Sequence, residues 1–103
     1  MIVTKNSPYT KEEIEQLKEQ FDIYIKTVID LTKGICSAGG DRHSDCEKIL
    51  LEEGSEQTHL WGGGIDLETK TIDCNSMINI KIQDPTIREQ FEILTKNFFK
   101  EIL

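Results

Sequence analysis

Between Gly39 and Trp61 the chain concentrates the residue types that can do chemistry: Asp41, His43, Asp45, Glu47, Gln57 and His59, closed by the single tryptophan, Trp61. Both histidines of the protein lie in this run. His43, Asp45 and Glu47 are spaced by two, so a regular helix cannot turn all three toward one ion. A loop joined to a helix start could do so, and with His59 the four would make an imidazole–carboxylate site for a divalent metal such as zinc, manganese or iron. No established metal spacing, neither paired CxxC nor HExxH, is present. The plainer reading is that Asp45 and Glu47 compensate the positive end of a helix.

Nucleophilic chemistry would fall to Cys46, expected in the first turn of a helix, where the dipole lowers a thiol pKa, with His43 three residues upstream. Against it, Cys46 shares an apolar register with Ile49 and Leu50, which predicts burial. His43 paired with a carboxylate could act as a general acid or base near neutrality. Gly62-Gly63-Gly64 lacks the Lys-Ser/Thr of a phosphate-binding loop, and Asp41 and Asp45 would repel an anion from Gly39-Gly40. Close backbone approach or a bulge explains both glycine runs better.

The run Gly39-Gly40-Asp41-Arg42-His43-Ser44-Asp45-Cys46-Glu47, then Leu50-Leu51, Gly54-Ser55, Gln57 and Leu60-Trp61-Gly62, resembles a prokaryotic family with a GGxxHxDxExxLLxxGSxQxxLWG pattern, domain-of-unknown-function family 5674. Asn75 to Ile80 and Asp84 to Arg88 are similar to further blocks of it, with Lys81 standing where members often carry Arg. The resemblance spans most of the chain. It implies a grouping and transfers no catalytic residue.

The elements that must position these residues follow from spacing. Thr10 with Glu13 forms a capping box, Tyr9 can staple onto Ile14, and Ile14, Leu17 and Phe21 recur at helical period. From Ile23 to Leu31 the period changes to two, which predicts a half-buried strand with Ile25, Thr27 and Ile29 facing inward. Thr32-Lys33-Gly34 turns the chain into a second strand, Ile35 to Ala38. Ser44 with Glu47 predicts a second capping box, opening a helix that Gly54 ends. His59 to Leu67 reads as a strand weakened by its glycines. A turn at Glu68-Thr69-Lys70 leads to a long alternating strand from Ile72 to Ile82, whose polar face is Asp73, Asn75, Met77, Asn79 and Lys81. Asp84-Pro85 starts a last helix with the stripe Ile87, Phe91, Leu94, Phe98 and Ile102. The expectation is one α+β domain over residues 1–103, in the order α-β-β-α-β-β-α, with a four-stranded, mainly antiparallel sheet carrying packed helices.

Composition bounds the rest. A chain of 103 residues with net charge -7 is one acidic domain. Six acidic and two basic groups between Asp41 and Glu56 supply -4 of that charge. The acidic balance argues against nucleic acid, and no apolar run reaches the roughly 20 residues of a membrane span. The first residues have no apolar core of a signal peptide, and Cys36, Cys46 and Cys74 are an odd set with no paired spacing, so a reduced, cytoplasmic protein is expected. The first functional reading is a non-enzymatic binding or self-associating module, a homo-oligomer, working through Gly39–Trp61. The alternative is a small hydrolase assisted by a divalent metal on His43, Asp45, Glu47 and His59.

Overall fold

The computed structural model describes residues 2–74 and 85–102. The elements run β1 (Val3–Lys5), α1 (Lys11–Gln20), β2 (Tyr24–Asp30), β3 (Ile35–Ala38), α2 (His43–Glu52), β4 (Leu60–Asp66), β5 (Thr71–Asp73) and α3 (Pro85–Phe98), with a short 3-10 turn at Gln57–His59. They form an α+β fold around one antiparallel sheet in the order β1-β3-β2-β4-β5. Among the described residues the sheet therefore has five strands, where four are expected from the sequence. The extra one, β1, adds to the β3 edge in the register Val3↔Ala38 to Lys5↔Cys36. Three residues are too few to show a period, and this strand is held by tertiary contacts: the buried Tyr9 hydroxyl donates to the Val3 carbonyl at 2.7 Å, and Thr4 Oγ1 donates to Ser37 Oγ at 3.0 Å.

Both hairpins form as expected. Gly34 takes φ 68° in the first, and Asp66 locks the second by accepting the Glu68 and Thr69 amides on Oδ1. Of the long strand expected from Ile72 to Ile82, Thr71–Asp73 is strand; Asn75, Met77, Asn79, Lys81 and the Asp84 cap lie outside the described residues.

Burial divides the molecule into layers. One face of the sheet packs Ile25, Ile29, Cys36, Trp61 and Ile65 against Ile14 and Leu17 of α1 and Phe91 and Phe98 of α3. Tyr9 stacks on Phe99 with centroids 4.7 Å apart, tying the entry of α1 to the chain after α3. The opposite face packs Val28 and Leu60 against Cys46 and Leu50 of α2. The expected half-buried strand is thus corrected for β2: Val28 and Asp30, assigned to the outer face, are fully buried because α2 covers that side.

The glycine run lies within β4, which pairs with β2 along its whole length and with β5 at its end. Glycine is required there by space. A Cβ on Gly63 would strike the Asp73 carbonyl and the Phe91 ring, and one on Gly64 would strike the Ile25 carbonyl and the Tyr24 ring. Helix and strand close on β4 because it carries no side chains at those positions.

Candidate functional site

Helix α2 and the loops at its ends carry the polar segment. Its start is set by Asp45, whose Oδ2 accepts the Arg42 amide at 3.1 Å while the Asp45 amide returns to the Arg42 carbonyl. The helix consequently begins at His43 with Arg42 as cap, not at the Ser44–Glu47 box expected from sequence. A carboxylate three residues into the helix satisfies an end amide as a serine cap would. Gly39, at φ 101°, turns the chain out of β3, and Gly40 lies against this turn, where a Cβ would come within 3.0 Å of the Arg42 carbonyl and of Asp45 Cβ. Gly54 ends the helix at φ 99°.

The imidazole of His43 is half-buried, with Nε2 2.7 Å from the Gly63 carbonyl oxygen. A carbonyl only accepts, so Nε2 carries the proton and donates, leaving Nδ1 as the second nitrogen. This bond pins the first turn of α2 to β4. His59 sits elsewhere: it precedes Leu60, three strand steps or about 10 Å from Gly63, and its Nε2 lies 3.5 Å from Glu56 Oε2. Glu47 accepts from Gln57 Nε2 at 3.3 Å. Asp41 is exposed, and Trp61, a candidate for the binding surface, is only 4% exposed and belongs to the core. Among the described residues no three His, Cys, Asp or Glu side chains are grouped to hold a metal ion. His43, Asp45, Glu47 and His59 are each engaged separately.

The thiols are similarly placed. Cys36, Cys46 and Cys74 are free and buried. Burial pushes the Cys36 thiol up to about 12 despite its contact with Thr27 Oγ1. Burial also raises Cys46, with the Gly40 backbone and Ser37 working the other way. Cys46 is thus the buried residue that its apolar register predicts: desolvation against Val28, Leu50 and Leu60 opposes the charged form that a helix dipole would favour.

Two polar features escaped sequence reasoning. Asp30 is fully buried, with Oδ1 accepting the Thr32 and Lys33 amides at 2.9 Å each and Oδ2 accepting Ser55 Oγ at 2.8 Å. Lys33 Nζ adds a bond to the Gly54 carbonyl at 3.0 Å, so the first hairpin clamps the far end of α2. An aspartate two residues before a Thr-Lys-Gly turn was the available signal. The second is a cleft of about 500 Å³ between the end of α1 and the start of α2, lined by Ile2, Gln20, Gly39, Gly40, Asp41, Asp45 and Ile49. Among the described residues no buried side-chain nitrogen or oxygen lacks a partner.

These features define a small layered α+β domain with an acidic, glycine-floored cleft beside its central helix. The chain belongs to a protein family of unknown function, DUF5674, whose model matches residues 1–98. No curated protein and no solved structure matches it. Among the described residues no helix is long and apolar enough to cross a membrane.

Proposed function

We propose that this chain is a non-enzymatic binding or self-associating module whose working surface is the outward side of Gly39–Trp61. The observation that carries this reading is the cleft where the Gly39-Gly40 backbone, Asp41 and Asp45 meet the end of α1. Its mixed lining, apolar at Ile2 and Ile49 and acidic at the two aspartates, suits a small ligand or a partner's side chain. The groups that covalent chemistry would need are committed to the fold: the thiols are buried, and His43 is spent on a backbone carbonyl. The metal-assisted hydrolase is the weaker alternative, because its four residues are engaged apart from one another. Reduced cysteines agree with a cytoplasmic location.

The test is an amide NMR fragment screen on the whole chain, run together with a dilution series. The reading predicts that fragments, dilution or both move the amides from Gly39 to Asp45, and that Asp41→Lys weakens the effect. Fragment hits and dilution shifts that all map away from this segment would overturn it.

A further inference from the structure

A second candidate site lies on the other side of the sheet, at the β4–β5 hairpin. Among the described residues Lys70 is the one non-glycine residue with positive φ, 59°. Its amide donates to the Asp66 carbonyl at 2.7 Å, closing the turn that the Asp66 side chain already locks. Glycine takes this conformation freely, whereas a lysine there is strained. The turn places the Lys70 side chain at the border of a cleft of about 480 Å³ lined by Lys70, Thr71, Ile72, Glu92 and Lys96.

The lining carries two ammonium groups against one carboxylate, in a chain whose net charge is -7. Neither lysine makes an ion pair among the described residues. Glu92 directs Oε1 toward Cys74 Sγ, 4.0 Å away. Ile72 and Thr71 complete the lining, the Thr71 hydroxyl being paired with that of Thr69 at 2.7 Å. A lysine in the last turn of α3 would suit the helix dipole by itself, but the dipole does not account for a second lysine, from the β4–β5 turn, lining the same cleft. We propose that this cleft binds a small oxyanion of the phosphate or carboxylate class, held between the ammonium groups of Lys70 and Lys96.

The test titrates the isotope-labelled full chain with sodium phosphate and, separately, with sodium acetate, at ionic strength fixed by sodium chloride. The expected result is saturable shifts at the amides of Lys70, Thr71, Ile72 and Lys96, with the tighter of the two anions naming the class. Lys70→Gly removes one charge while relaxing the backbone, so it should weaken binding by about two- to fivefold, the worth of one exposed charge contact. It should also raise the melting temperature. Lys96→Gln should weaken binding to a similar degree without that rise. Shifts that stay linear in both salts, or that survive unchanged in both variants, would overturn the proposal.

Discussion

Gly63→Ala tests the packing of the sheet through the sign of its effect. Alanine in a strand is normally favoured over glycine by about 0.5–1 kcal/mol, because it loses less backbone freedom on folding. If Gly63 were merely a tolerated gap, the substitution would stabilise the protein. Its added methyl would instead sit 2.8 Å from both Cε1 and Cζ of Phe91 and against the Asp73 carbonyl. The ring belongs to a buried core side chain, and the carbonyl belongs to the neighbouring strand, so neither withdraws cheaply. Overpacking of this kind costs about 1–3 kcal/mol, and loosening hydrogen bonds of the three-residue β4–β5 ladder adds about 1 kcal/mol for each bond lost. We therefore expect a loss of about 3–4 kcal/mol, a large fraction of the 5–15 kcal/mol available to a typical domain. Urea unfolding followed by tryptophan fluorescence reads it, since Trp61 is buried in the same strand. Phe91→Ala removes the ring but not the carbonyl, so the double variant should recover only part of the clash, with a coupling of about 1–2 kcal/mol. A Gly63→Ala protein as stable as the parent, or more stable, would refute the close-approach account of the glycine run.

Three further outcomes follow from other contacts of the fold. Asp30→Ala leaves the Thr32 and Lys33 amides and Ser55 Oγ without their acceptor and should cost about 3 kcal/mol or more in urea unfolding, while Asp30→Asn, which retains one carbonyl oxygen, should cost less than half of that. Thr10→Ala breaks the α1 capping box and should cost about 1 kcal/mol, read as a shift in the same midpoint. Cys36 has a folded pKa near 12, above the 9.0 of a free thiol, so its contribution is intact below pH 9 and is lost as pH rises toward 12. Tyr9 and Tyr24, also raised by burial, act in the same direction, so stability should fall above pH 9 by up to about 1.4 kcal/mol per pH unit for each group that titrates on unfolding. A flat stability profile from pH 8 to 11 would contradict this.

The local signals of the chain were readable wherever one element sufficed to fix them. The Thr10–Glu13 box, the Gly34 and Gly54 positions and the stripe of α3 from Ile87 to Phe98 appear where spacing placed them, whereas Ile102, expected to continue that stripe, lies beyond the end of the helix. What was hidden depended on partners distant in sequence. Val28 and Asp30 look like the solvent face of a strand until α2 is laid over them. β1 has no period of its own and forms because Tyr9 and Ser37 hold it. Thr95 and Phe99 are buried beside the expected stripe because the chain after α3 closes over Tyr9. In the candidate site the residue types were legible but their assignments were not: the spacing of His43, Asp45 and Glu47 does not show that each turns to a different partner.

That division bears on which atoms remain for a ligand. A side chain whose hydrogen bonds set a helix start or pin a strand cannot also reorient around a substrate without loosening the fold, because a buried polar group left unpaired costs about 1–3 kcal/mol. Both oxygens of buried Asp30 and the half-buried His43 Nε2 are committed in this way, while the exposed Asp45 is held by its role at the helix start. The exposed carboxylate of Asp41 is under no such constraint, and it borders the α1–α2 cleft. Substitutions should accordingly separate into two groups. Changes at His43 or Asp45 should lower stability and any binding together, whereas Asp41→Lys should alter binding at unchanged stability. If His43→Ala left the melting temperature untouched while abolishing a ligand response, the imidazole would belong to the site rather than to the scaffold, and the division drawn from its bond to Gly63 would fail.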